Sequence, residues 1–102
     1  TQNISESVSS YIDFKRIRKR GALIYFWNLI NFSEIDDLGH ASMKTYEEGD
    51  CDLFRTKTLK RVLHKFPMGQ GRALVLDKPD ENWSYPSPDS LGEGTLNSVC
   101  NR

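Results

Sequence analysis

The sequence predicts an α+β fold in which a sheet of short strands carries one C-terminal helix on one face. Two stretches lead to this. Ala22 to Phe32 reads ALIYFWNLINF, dense in the β-branched and aromatic side chains that favour strands. Ser90-Leu91-Gly92-Glu93 has the form of a capping box, with Ser90 as N-cap and Glu93 three residues on.

Residues 1–7 are mostly polar and predict a disordered or edge segment, followed by a single domain over 8–102. Val8 to Phe14 predicts a short strand, with Val8, Tyr11, Ile12 and Phe14 as its apolar members. Lys15 to Gly21 (KRIRKRG) predicts a basic turn closed by a glycine. The strand at Ala22 to Phe32 is apolar on both faces. Leu23, Tyr25, Trp27 and Leu29 share one face, and Ala22, Ile24, Phe26, Ile30 and Phe32 the other. A single helix covers only one of them, so the second must meet more sheet, a ligand or a partner.

Ser33 to Leu38 is acidic and turn-like, and Ala41 to Cys51 reads as a strand of mixed polarity. Leu53 to Phe66 is ambiguous. Thr56 and Thr58 favour a strand, whereas Leu59, Val62, Leu63 and Phe66 stand at helical spacing. Pro67 to Gly71 is a turn, Arg72 to Leu76 a short apolar strand, and Asp77 to Glu81 a charged loop. The helix then runs from Ser90 to about Cys100, with Gly92, Leu96, Val99 and Cys100 on its inward face. Small Gly92 is expected to let the helix approach the sheet closely. Gly92 and Gly94 also lower its intrinsic stability, so it needs packing.

The chain has 102 residues, 37% apolar and 27% charged, which suits one globular domain with a small core. Fourteen basic and fourteen acidic side chains cancel, against the basic excess of a dedicated nucleic-acid binder. No apolar run reaches the roughly 18–20 residues of a membrane-spanning helix. The chain opens on polar residues at Thr1, as a processed chain would, so a missing signal peptide says little about export. Two cysteines, Cys51 and Cys100, lie too far apart for a CxxC redox or zinc pair. They are either partners in one bridge or two unrelated buried thiols.

Lys15, Arg16, Arg18, Lys19 and Arg20 form a basic cluster suited to an anionic lipid, a polysaccharide or a phosphate backbone. The plainer alternative is a solvated turn balanced by Glu34, Asp36 and Asp37. Arg55, Lys57, Lys60, Arg61 and Lys65 form a second basic stretch, which adds an anion-binding strip if both clusters share a face. Tyr25, Trp27, Trp83 and Tyr85 are either a binding face or core, and Trp83 and Tyr85 fit covers for one sheet end. His40 and His64 lack a local second ligand such as HxH, so no metal or cofactor is expected. Ser87 and Ser90 sit in no nucleophile motif, and Met68-Gly69-Gln70-Gly71-Arg72 lacks the ending of a phosphate loop, so no enzyme is expected.

The order of several short motifs resembles a known family. Tyr11-Ile12-Asp13 is followed by the basic turn with Gly21, then Trp27-x-Leu29 and Glu48-Gly49-Asp50-Cys51. Met68-Gly69-x-Gly71, Trp83, Pro88 and Ser90, Gly92-Glu93 and Val99-Cys100 complete the set. The chain resembles the surface-adhesin protein E-like family of bacterial envelope proteins over roughly Val8 to Cys100. The resemblance implies an antiparallel sheet of about five to six strands, with the helix tethered to one face by a Cys51–Cys100 disulfide. It also resolves Leu53 to Phe66 as a strand. It implies a non-enzymatic, exported binding module in the periplasm, on the outer-membrane surface or secreted, with host or matrix proteins as partners and a homodimer as a candidate assembly. A periplasmic small-molecule or haem carrier is the alternative. The candidate binding residues are Arg16, Arg18, Lys19, Arg20, Tyr25, Trp27 and Trp83. The chain departs from the family in two places: no Trp-bearing strand precedes Tyr11, and Gly49 stands where an apolar residue is usual.

Overall fold

The computed structural model describes residues 8–101, so the expectation for 1–7 lies outside the described residues. Six strands are formed: β1 (Val8–Ile12), β2 (Arg18–Arg20), β3 (Leu23–Phe32), β4 (Ser42–Asp50), β5 (Arg55–Phe66) and β6 (Gln70–Leu76). One helix, α1 (Leu91–Cys100), follows. The strands make a single antiparallel sheet in the order β1-β3-β4-β5-β6. β2 shares the edge of β3 with β1: β2 pairs with Leu23–Tyr25 and β1 with Asn28–Phe32.

The first two expected elements are corrected here. β1 ends at Ile12 rather than Phe14, because Asp13 caps a 3-10 turn over Phe14–Arg16. Its carboxylate accepts from the Lys15 backbone N–H at 3.2 Å and from Arg16 Nε at 2.7 Å. The basic segment is not only a turn, since Arg18–Arg20 pairs with β3 as a strand. The turn itself narrows to residues 21–22, with Gly21 at φ 61°.

β5 is a strand of 12 residues, as the family resemblance implied. Its helical-looking spacing has a physical origin. Tyr46 pairs with Lys60 and Glu47 with Thr58, so Leu59 is an extra, unpaired residue. A bulge of this kind shifts the alternation by one and mimics a longer period.

The core lies between the sheet and α1. Ile24 and Phe26 on β3 pack beneath Leu96 and Val99, all four essentially fully buried. Ile12, Ile17, Phe54 and the two cysteines close around them. Burying each large apolar side chain contributes roughly 1.5–3 kcal/mol. Ser90 Oγ accepts from the Glu93 N–H at 3.1 Å, as the capping box predicts. The Glu93 carboxylate reaches back one residue further than expected, to the Asp89 N–H at 2.8 Å. Cys51, just past β4, is bonded to Cys100 at the end of α1. Gly92 does not bring α1 close to the sheet. It is exposed, and a Cβ there would only touch Pro86 and Ser90, each at 3.8 Å. Gly49 does that work instead, because a Cβ at this site would sit 2.9 Å from Leu96 Cδ1.

Candidate functional site

α1 covers one face of the sheet and leaves the other open. Side chains alternate along each strand, so the pairing register fixes what shares the open face. One row runs Arg18, Tyr25, Glu48 and Lys57. The next runs Trp27, Tyr46 and Lys60, and the third Tyr11, Leu29, Lys44 and Val62. At the end nearest Gly21, Arg20, Leu23, Asp50 and Arg55 form a fourth.

Aromatic and basic groups interleave across these rows. The Trp27 and Tyr46 rings lie 5.0 Å apart, and Tyr25 stacks on Tyr46 at 6.4 Å. The Tyr25 hydroxyl donates to a Glu48 carboxylate oxygen at 2.8 Å, and this acceptor raises the phenol's pKa above its ordinary value. Ser84 pairs with Thr56, which places Trp83 beside β5. Arg55 and Lys57 both lie over the Trp83 indole, at 4.2 and 4.7 Å, in cation–π geometry. Arg55 also donates to Asp50 at 3.0 Å.

Of the candidate residues, the structure gathers Arg18, Arg20, Tyr25, Trp27 and Trp83 on this face. Arg16 stands at its β1 end, paired with Asp13. Lys19 pairs in register with Ile24 and belongs to the opposite face. The second basic stretch also divides: Arg55, Lys57 and Lys60 are on the open face, while Arg61 sits on the other, bonded to Asp80 at 3.1 Å. Asp36 does not balance the basic cluster. Its carboxylate accepts from the His40 and Leu38 backbone N–H groups, the first of which does most to hold its pKa below the usual range. Tyr46, Lys44 and Asp13 joined the face without having been singled out. Alternation along Ala41 to Cys51 carried that signal, but only the register aligns it with Trp27.

Between β1 and β5 the open face dips into a pocket of about 420 Å³. Tyr11, Asp13, Trp27, Lys44, Val62 and His64 are among its lining residues. Asp13 is held below the ordinary carboxylate pKa, chiefly by its bond from Arg16. His64 is 6% exposed, its Nδ1 lies 3.4 Å from the Gly71 carbonyl oxygen, and its Nε2 has no hydrogen-bond partner. His40 is buried elsewhere, against Asp36. Among the described residues no group of three or more His, Cys, Asp or Glu side chains converges. Nor is any helix among them long and apolar enough to cross a membrane.

The family model described as surface-adhesin protein E matches residues 2–101. No curated protein matches the chain. The structure of Haemophilus influenzae protein E in crystal form II is similar, with a TM-score of 0.78 at 14% identity, covering 97% of this chain and 91% of that one. Protein E from non-typeable Haemophilus influenzae gives 0.70 at 16% identity, covering 97% and 74%. At such identities these two likenesses speak to the fold alone.

Proposed function

The chain belongs to the surface-adhesin protein E family, and from that premise we propose that it is a surface or secreted binding module that holds host or matrix proteins against its open sheet face. The supporting observation is the division of the sheet. The core, α1 and the disulfide occupy one face, whereas the other presents Trp27, Tyr46 and Trp83 among Arg18, Arg20, Lys57 and Lys60. Aromatic anchors beside cations are what protein interfaces concentrate. Residues 8–102 act as one domain in this reading.

The test is solid-phase binding to immobilised matrix proteins, together with surface labelling of intact cells. Arg18→Glu with Arg20→Glu should abolish most retention while leaving the fold intact, since both side chains are exposed. Retention unchanged by these substitutions, or a protein found only inside cells, overturns the reading.

A periplasmic small-molecule carrier is the second reading, favoured by the pocket beside Trp27. Haem fits it poorly. A porphyrin needs an imidazole standing clear of its neighbours, and His40 and His64 are 5% and 6% exposed. No shift of a Soret band on haem titration is the expected result, and a shift lost in His64→Ala would restore haem.

A further inference from the structure

We infer that Asn82, on the loop between β6 and α1, is an acceptor for an N-linked oligosaccharide. The inference rests on the chain being a surface or exported protein, as its family is, and not on what its open face binds.

Asp80-Glu81-Asn82-Trp83-Ser84 has the form that such an acceptor takes. An Asn-x-Ser unit with no proline between supplies the amide to be modified and a hydroxyl for the transferase to grip. Bacterial oligosaccharyltransferases ask in addition for a carboxylate two residues before the asparagine, and Asp80 supplies it. The chain holds two other Asn-x-Ser units, Asn3-Ile4-Ser5 and Asn31-Phe32-Ser33. Thr1 and Leu29 stand two residues before them, so neither carries the acid.

The fold selects the same asparagine independently. Asn31 is half-buried within β3, between Ser9 on β1 and Ser42 on β4. Its Oδ1 accepts from the Met68 N–H at 2.8 Å, and its Nδ2 donates to the Met68 sulfur at 3.1 Å. That amide is committed to the fold. Asn82 is exposed, and its side chain makes no hydrogen bond among the described residues. Ser84 is exposed too, and its hydroxyl is unbonded in the same sense. Asn3 lies outside the described residues. Both ends of the unit are fastened to β5. The Asp80 N–H donates to the Thr58 carbonyl at 2.8 Å, and its carboxylate takes both Arg61 terminal nitrogens at 3.1 Å. Ser84 exchanges two backbone bonds with Thr56, each at 2.8 Å. Exposed Glu81 and Asn82 lie between these anchors, so a glycan on Asn82 displaces no core side chain. The anchors hold Asp80 and Ser84 in the finished fold, so transfer falls on the exported chain before this loop docks on β5.

The donor is an oligosaccharide carried on a lipid pyrophosphate. Asn82 Nδ2 attacks the anomeric carbon, and a C–N bond forms. The C–O bond to the pyrophosphate breaks, and its electron pair leaves with the lipid pyrophosphate. The nitrogen gives one of its two protons to a base of the transferase, and nothing is oxidised or reduced.

The experiment secretes the full chain into the periplasm of a bacterium whose oligosaccharyltransferase and lipid-linked donor modify a control acceptor. Intact mass and peptide sequencing by mass spectrometry read the product. The wild type should gain the mass of one oligosaccharide, carried on Asn82. Asn82→Gln and Ser84→Ala should lose it, and Ser84→Thr should keep it. Asp80→Asn should lose most of it, and Asp80→Glu should keep it. Arg61→Gln breaks the same ion pair but leaves the acceptor unit whole, so it should keep the modification. An unmodified wild type, modification at Asn31 or Asn3 instead, or a loss in Arg61→Gln equal to that in Asp80→Asn overturns the inference. The Asn82 peptide of the chain from its own cells should carry a glycan as well. A native chain displayed on the surface without one overturns this inference alone, whereas a native chain kept inside the cell overturns the binding reading with it.

Discussion

Gly49 shows how one position can be read wrongly from sequence and rightly from packing. As a departure from the family pattern it looks like a loss of apolar surface. In the fold its missing side chain is the space that Leu96 occupies, with Ile24 Cγ2 3.0 Å from where a Cβ would stand. Leu96 and Ile24 are already buried and have no room to retreat. Gly49→Ala should therefore destabilise by about 1–3 kcal/mol, the usual cost of overpacking, seen as a lower urea midpoint. Asp50, the next residue, is a different case. Its carboxylate accepts from the Leu53 and Asp52 backbone N–H groups and from Arg55, and these bonds, the Leu53 bond first, hold its pKa below the ordinary value. A carboxyl depressed by folding adds stability that is present above its unfolded pKa of about 4 and is lost as pH falls through the folded pKa. Asp50→Asn should remove that contribution. Its melting temperature should fall less steeply than the wild type's on acidification below about pH 4, and the two curves should converge. Parallel curves would mean that Asp50 titrates alike in both states.

At the scale of elements, legibility followed how local the causes are. α1 was readable because its N-terminal signal lies within four residues: Ser90 bonds as that signal requires, and Glu93 bonds the backbone N–H one residue before the expected one. β5 was not readable from periodicity. A bulge depends on the partner strand, and nothing within Leu53 to Phe66 reports that Leu59 will be left over opposite Tyr46 and Glu47. β2 was missed for a similar reason. Three exposed basic residues make a strand here only because β3 offers them an edge. The disulfide belongs to this scale as well. α1 has 10 residues and two internal glycines, too short and too flexible to persist alone. It holds through Leu96, Val99 and the link at Cys100. The bond spans 49 positions, and closing a loop of that size is worth about 4 kcal/mol on the chain-entropy account. Reduction, or Cys51→Ser with Cys100→Ser, should lower stability by about that amount and release α1 first, seen as early amide exchange over Leu91–Cys100. Unchanged protection of α1 in the reduced protein would show that packing alone suffices.

Across the whole molecule, charge and apolar surface are sorted by the sheet. Net charge is zero, yet the open face carries Arg18, Arg20, Lys44, Lys57 and Lys60 against few carboxylates. The alternation in Ala22 to Phe32 already announced that a second apolar face needed a use. What sequence did not contain was the pairing register, so the joining of Trp27 to Tyr46 and of Leu29 to Lys44 appeared only in three dimensions. The helix-side face has its own unfinished region. Ile30, Met43, Leu63 and Leu74 form one row across four strands, and the row continues to an outer edge, β6. All seven residues of β6 are exposed, including Leu74, Val75 and Leu76, and no further strand among the described residues pairs with it. A flat apolar edge of this kind templates another strand unless charge or proline blocks it, and Arg72 is the single charge on β6. A second copy added along β6 would hide the edge and extend the Leu74 row, so the homodimer expected from sequence, were it to form, would have β6 as its candidate seam. The wild type should then sediment as a dimer that dissociates on dilution. Leu74→Lys with Val75→Lys should sediment as a monomer and lose no more than about 0.5 kcal/mol of stability per site, as exposed positions usually do. A wild type that stays monomeric at every concentration, or a doubly substituted chain that still dimerises, would move the seam elsewhere or remove it.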